Sequence, residues 1–474
     1  MRARTVLLVI LLLLAPGLSG AGAASLKAGP GSPAGPDPYW SYDGNGGTNA
    51  LRYDIAVSYD FAARTLRGRA VVTMQAKQDL TSFTLDLLLP VQAVKVDGRV
   101  ARFGKPSGHE LRVVPAATID SGDVFRVAVA YAGRPGAYRY AGERNWLADG
   151  DEVVTMNEPH MAPWWFPSND HPSDKARFDI RVTAPRGKRV VSNGTLVSRT
   201  VRGTRATTHW RMQDPMATYL AFFAAGRYDV AAGRTARGIP YYYAVSRQLP
   251  LGDRTRAMRQ LRFSGPATDW LQAWLGTYPF TSTGGLVTGL DVGFALENQT
   301  RPTYGAWVYP GVIVHELAHQ WFGDSVAVRR WRDIWLNEGF ATFAEKAFDA
   351  AHGGRSVAGW LNSAYQERCH QPSSSFWTLD LTDPGPARVF DEAVYDRGAM
   401  VLGALQNRIG ATALRGLLRA WVAAHHDGNA GVAQFEALAA ARTGQDLGGF
   451  FDAWLRDGTV PPAGAETGIV HACS

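Results

Sequence analysis

Only two cysteines, Cys369 and Cys473, occur in 474 residues, too few for a disulfide scaffold or a thiolate metal cluster. A Lys/Arg block is missing as well. The 49 basic and 42 acidic residues give a formal charge of +7, but the excess is dispersed, which argues against a nucleic-acid-binding arm. Beyond the N-terminus no stretch approaches about 18 consecutive apolar residues, so no membrane-spanning helix is expected in the body of the chain. The sequence holds no internal repeat, and its 51 Gly and 26 Pro follow no collagen-like period. What is present is a chain 46% hydrophobic and 19% charged, apolar enough to bury the cores of two or three domains.

The first residues differ from the rest. Arg2 and Arg4 precede an apolar run from Val6 to Leu14, Pro16 and Gly17 end it, and Ala21-Gly22-Ala23 is a small-x-small cleavage signal. The run falls short of the roughly 20 residues that span a bilayer. Residues 1–23 therefore read as a secretory signal cleaved near Ala23, with an uncleaved anchor as the alternative; the mature protein is expected to be secreted, without a stable membrane anchor. In an oxidising compartment Cys369 and Cys473 either pair, closing a loop of about 100 residues and pinning the C-terminus, or remain two free thiols.

Residues 24–47 are Gly/Pro/Ser-rich, lack an apolar period and read as a linker or poorly ordered arm. Over 48–240 short alternating runs recur between Asp/Gly/Pro turns, among them Tyr53–Val57, Ala70–Met74, Phe83–Leu87 and Phe125–Val129, and predict an antiparallel β domain. From 241 to 474 helical periodicity takes over, with helices expected over Thr255–Leu275, Glu338–Ala351, Arg397–Ile409, Thr412–Ala424 and Val432–Arg442. The fold class expected is α+β, a β domain followed by a mainly helical one.

The most informative stretch is His315-Glu316-Leu317-Ala318-His319. At i and i+4 on a helix the two imidazoles share one face and reach one tetrahedral ion, while Glu316 lies about 100° around the helix, placed to handle a water without ligating. Catalytic zinc sites commonly use three protein donors and leave the fourth position open. Glu338, nineteen positions after His319 in Trp335-Leu336-Asn337-Glu338-Gly339-Phe340, supplies the third from a second helix, as in thermolysin-like enzymes. One Zn2+ per chain is expected. Asp324 and Asp333 flank these segments; they either orient the histidines as hydrogen-bond acceptors or pair with Arg329, Arg330 and Arg332.

Together, HELAHQWFG and WLNEGFATF resemble the aminopeptidase N family of zinc metallopeptidases, peptidase family M1, which also contains leukotriene epoxide hydrolases. The resemblance runs from about Ser41 to Pro461, and Trp165–Pro172 is similar to the family's FP…DEP segment. It implies a saddle-like N-terminal β domain and a thermolysin-like catalytic domain. It also implies hydrolysis of N-terminal residues from peptides with a free N-terminus; a thermolysin-like endopeptidase and a non-catalytic peptide-binding protein are the alternatives. The family's GxMEN motif corresponds to Phe294-Ala295-Leu296-Glu297-Asn298, so Glu297 is expected to bind the α-amino group, with Ala295 and Asn298 lining the substrate; Phe294 departs from the motif glycine. Glu158 matches the last position of a Q-x-E-like second amine anchor, and Tyr395 matches the family's catalytic tyrosine, which donates to the oxyanion. The chain ends shortly after Trp454, where larger members continue into a module that roofs the cleft, which implies a more open cleft here. Asn193-Gly194-Thr195 and Asn298-Gln299-Thr300 are glycosylation sequons.

Overall fold

Alternation is read out directly in the strand Thr48–Asp60, where Tyr53, Ile55, Val57 and Tyr59 are buried while Asp54, Ala56 and Ser58 between them are not. The computed structural model that carries it describes residues 28–474; the secretory-signal reading of residues 1–23 lies outside the described residues. Thr48–Asp60 is central to an eight-stranded sheet. It pairs antiparallel with Thr65–Ala76 and in parallel with Ala176–Pro185. Val124–Gly133 and Val91–Val96 continue the sheet on one side, Arg205–Met216 and Thr195–Arg202 on the other. Two four-stranded sheets complete this domain, one built on Leu80–Asp86 and Glu110–Val114, the other on Val153–Val154, Phe223–Gly226 and Arg189–Ser192.

The second domain opens with a smaller sheet. Tyr228–Arg234 pairs antiparallel with Pro240–Ser246, which then pairs in parallel with Thr283–Val287. The boundary expected at 240/241 therefore cuts a hairpin that belongs to the second domain, and the chain changes sheets between Gly226 and Tyr228. Sequence texture misplaced it because both sides of the junction are strand; helical periodicity begins only with α1, Leu251–Leu275. Helices α2 (Pro310–Ala318) and α3 (Trp335–Ala351) follow, then Gly398–Ile409, Ala411–His425 and Val432–Thr443. One continuous apolar core runs through both domains and holds Trp164, Trp210, Trp321, Trp335 and Trp454, all fully buried. Each such indole removes a large apolar area from water, at about 25 cal/mol per Å².

The segment expected as a linker is docked from residue 28 onward. Gly29–Pro30 pairs with Leu80–Ser82. The Asp37 carboxylate accepts from the Trp331 N–H at 2.8 Å, and Tyr39 bonds Asp383 and accepts from the Gly385 N–H at 2.9 Å. Docking through polar and backbone groups leaves no apolar period in the sequence, which is why this segment resembles a loose arm. Cys369 and Cys473 are joined by a disulfide across 104 positions. Among the described residues no helix is long and apolar enough to cross a membrane.

Candidate active site

Pro310 starts α2 at a position where its missing N–H costs no hydrogen bond; the helix carries His315, and His319 follows one turn on as its C-terminal cap, ring centroids 4.7 Å from each other. Residues from Trp335 to Ala344 of α3 are buried, and this half of the helix presents Glu338 to the two histidines. The Nε2 atoms of His315 and His319 each lie 3.3 Å from Glu338 Oε2. A metal bonded at about 2.0–2.2 Å in tetrahedral geometry has donors separated by about 3.3–3.6 Å, so the three atoms already stand at that spacing. Burial opposes charge on Glu338, yet the two histidines hold its carboxyl down at about 2. Burial likewise disfavours a charged His319, but Glu338 draws it up to about 9. Two nitrogens and one oxygen converging on a point that attracts positive charge fit a zinc ion, with His315, His319 and Glu338 as its ligands.

The outer nitrogens of the rings are fixed by groups other than those expected. His315 Nδ1 pairs with Glu345 Oε1 at 2.8 Å and His319 Nδ1 with the Phe322 carbonyl at 3.0 Å. Asp324 and Asp333 orient neither ring. The Asp324 carboxylate is buried without a hydrogen-bond partner, while the Asp324 and Ser325 carbonyls accept from Lys175 Nζ at 2.8 Å each. Asp333 faces away and accepts from the Val432 N–H at 3.3 Å, at the start of the helix Val432–Thr443. Among the described residues neither carboxylate is paired with an arginine. Glu345 was legible in principle: Glu338, Thr342 and Glu345 follow a 4, 3 spacing along one face of α3.

A cavity of about 410 Å³ opens on the ligands and is lined by Glu316, Tyr395, Glu297, Glu158, Phe294 and Ala295 among others. Tyr395 sits in a turn of π-helix, Ala393–Arg397, its ring nearly parallel to that of His315 at 6.1 Å. The turn is anchored by the buried Arg397, whose guanidinium donates to the Trp377 and Leu379 carbonyls. Burial, followed by the carboxylates around it, pushes the Tyr395 hydroxyl up, so it stays protonated and able to donate. Burial pushes Glu316 up to about 8, with His315 and His319 pulling the other way.

Glu297 is 2% exposed and accepts from the Tyr219 hydroxyl at 3.2 Å. Its backbone is held by the turn that follows α2, because Gln320 Nε2 donates to the Glu297 carbonyl at 3.0 Å and Gln320 Oε1 accepts from the Thr300 N–H at 2.7 Å. That clamp supports Thr300 at a φ of +67°, a conformation that disfavours a β-branched residue. Asn298 points away from the cavity and donates to the Leu220 carbonyl at 3.0 Å. It thus ties the Glu297–Asn298 loop to Leu220 rather than lining the substrate, a correction to the motif reading. Both Asn193 and Asn298 are fully buried with bonded amides, which excludes them as glycan acceptors in the folded chain. Glu158 reaches the cavity from the β domain with Oε1 buried and unpartnered, and burial followed by repulsion from Glu297 drives its carboxyl up. Tyr219 carries no sequence signal of its own, and Gln320, although inside HELAHQWFG, has a part that only the fold shows.

An HExxH helix with its third donor on the next helix defines the class of His/His/Glu zinc sites found in thermolysin-like metallopeptidases. The chain belongs to peptidase family M1. The Peptidase M1 N-terminal domain matches residues 49–220 and the Peptidase family M1 domain residues 284–454. Aminopeptidase M1 of Arabidopsis thaliana is 25% identical over 463 residues, covering 88% of this chain and 51% of the plant protein. Aminopeptidase N of Lactococcus lactis is 26% identical, with 87% and 51% covered. The chain thus spans about half the length of these curated relatives. A crystal structure of an M1 zinc metallopeptidase from Deinococcus radiodurans superposes with a TM-score of 0.79 at 26% identity, covering 90% of this chain and 97% of that one. A variant of the same enzyme, crystallised with a Tyr-Ser-Ala substrate, matches equally well.

Proposed function

We propose that this protein is a zinc-dependent aminopeptidase that hydrolyses the N-terminal residue from peptides. The observation that carries the reading is the placement of two buried carboxylates, Glu297 and Glu158, in the same cavity as the zinc ligands. Neither forms an ion pair with a cationic side chain among the described residues; burial pushes both carboxyls up, and an α-ammonium group placed between them would favour their charged forms. When bound, zinc lowers the pKa of a water and polarises the scissile carbonyl.

The side chains divide the remaining work. Glu297 and Glu158 hold the ammonium and fix the register at one residue. Glu316 takes the proton of the attacking water and returns it to the leaving amine nitrogen. The Tyr395 hydroxyl donates to the oxyanion that develops on the carbonyl oxygen. Tyr219 keeps the Glu297 carboxylate aimed at the cavity.

The test is Glu316→Gln. We expect turnover of an aminoacyl-anilide to fall by about 10²–10⁴-fold while zinc stays stoichiometric; undiminished activity overturns the assignment. A peptide acetylated at its N-terminus is expected to resist cleavage, and cleavage at the rate of the free amine would mark an endopeptidase.

The same reading includes export. Arg2, Arg4 and the apolar run Val6–Leu14 supply a secretory signal, and a disulfide between Cys369 and Cys473 suits an oxidising compartment. Terminal sequencing of protein recovered outside the cell should begin near Ala24; a cytosolic protein retaining Met1 rejects export.

A further inference from the structure

In the β domain, Asp86 and Glu110 stand directly opposite each other across the antiparallel pair Leu80–Asp86 and Glu110–Val114. Like charges in that relation repel, and here both are buried, Asp86 at 0% exposure and Glu110 at 4%. His109 adjoins them at 5% exposure, and neither of its ring nitrogens has a hydrogen-bond partner among the described residues. Both carboxylate oxygens of Glu110 are equally unpartnered. Such groups, left alone in a protein interior, are costly.

The local cations do not answer the need. Lys105 donates to the Leu87 and Leu89 carbonyls and forms no ion pair with Glu110 within 4 Å. His160 is engaged by Asp43 at 2.6 Å, and Asp43 also accepts from the Tyr140 hydroxyl at 2.6 Å. Asp86, by contrast, is oriented for ligation. Its Oδ2 accepts from the Gly44 and Asp170 N–H groups at 3.1 and 2.7 Å, and its Oδ1 accepts from Asn45 Nδ2 at 3.1 Å with a second lone pair free.

We infer that Asp86, His109 and Glu110 form a second metal site, for a divalent cation of the zinc type. His109 Nδ1 lies 3.7 Å from Asp86 Oδ1 and 3.5 Å from Glu110 Oε1, and the three donor atoms fall within 4.8 Å of one another. Those separations approach the edges of about 3.3–3.6 Å of a tetrahedron with bonds of about 2.0–2.2 Å. One imidazole and two carboxylates are a donor set for zinc or manganese rather than for a soft monovalent ion. A dication balances the two formal charges. The His109 ring is stacked on Tyr140, centroids 4.0 Å apart and planes 4° off parallel, so its orientation is fixed before a metal arrives. A cavity of about 610 Å³ lined in part by His109, Glu110 and Tyr140 supplies the route in and room for a water as fourth ligand. Because Asn45 and Gly44 bond the same carboxylate, the metal would tie the segment before Thr48 to the β domain.

The test removes the catalytic zinc first. The full-length chain carrying His315→Ala and His319→Ala is stripped with chelator, re-supplied with Zn2+ and desalted. We expect close to one zinc per chain and a thermal midpoint raised by Zn2+. X-ray absorption should show a single imidazole among oxygen donors. Adding Glu110→Gln should lower the zinc affinity at least tenfold and erase the Zn2+-dependent rise. No retained zinc in the double variant overturns the inference, as does zinc bound through sulfur or through two or more imidazoles. Unchanged affinity in the Glu110→Gln variant does the same. Should Glu110→Gln not fold, the stoichiometry and absorption spectrum of the double variant decide the matter alone.

Discussion

Glu345 Oε1 lies 2.8 Å from His315 Nδ1, two turns along α3 from the ligand Glu338. One helix thus provides both a donor to the metal and the carboxylate that fixes the tautomer of a second ligand. Carboxylates in that position raise the basicity of the imidazole and hold its ring plane. Glu345→Gln is therefore expected to weaken zinc binding by about 10–100-fold while leaving the fold intact, as measured by competition with a chelating dye. Unaltered affinity would show that the pairing is incidental.

Tyr395→Phe tests the oxyanion role. Loss of one donor of this kind costs about 10²–10³ in kcat, or about 3–4 kcal/mol of barrier. The expected signature is a fall in kcat with little change in KM, at full zinc occupancy. A matched rise in KM instead would assign the hydroxyl to substrate binding.

The Tyr219–Glu297 contact separates binding from chemistry in the other direction. Tyr219→Phe removes the hydroxyl that Glu297 accepts from at 3.2 Å, and Glu297→Gln removes the charge that meets the ammonium. We expect KM for free-amine substrates to rise in both, more in Glu297→Gln, by about tenfold or more for a buried charge-assisted contact. Steady-state kinetics on one aminoacyl-anilide resolve the two, and equal effects would place Tyr219 in direct contact with substrate.

Gly339 and Gly398 meet where α3 packs against the helix that follows Tyr395. A Cβ on Gly339 would lie 2.7 Å from the Gly398 carbonyl carbon, a contact that backbone cannot relieve without moving. Gly339→Ala is predicted to destabilise the protein by about 1–3 kcal/mol and to push the Tyr395 turn away from His315. Calorimetry should record the first and a reduced kcat at normal zinc content the second. An alanine tolerated in both would mean the helices are free to separate.

How much of this was legible in sequence varies with the kind of interaction. Strands such as Thr48–Asp60 and helices such as α3 announce themselves by period, because one face is buried. His315, Glu316, His319 and Glu338 are legible because a tetrahedral ion imposes i, i+4 spacing and a third donor nearby. Asp324 and Asp333 lie near the histidines and near arginines in sequence, yet Asp333 accepts from the Val432 N–H at a helix start and the Asp324 carboxylate meets neither kind of partner. Tyr219 and Gln320 come to Glu297 from distant parts of the chain, and no local pattern encodes a meeting between elements brought together only by tertiary packing. The docked segment from residue 28 escaped for a related reason, since Asp37 and Tyr39 bind through isolated polar contacts that leave no periodic trace.

Those same contacts bear on the order of assembly. Asp37 finds its partner at Trp331 and Tyr39 its partners at Asp383 and Gly385, some three hundred positions later. Loop closure over such a distance comes late in folding, after the local hairpins and helices exist. During synthesis Gly29–Pro30 can pair with Leu80–Ser82 early, but the Asp37 and Tyr39 contacts cannot form until residues 331–385 have left the ribosome. The stretch around Asp37 and Tyr39 is thus seated last, by the same polypeptide that carries the active site.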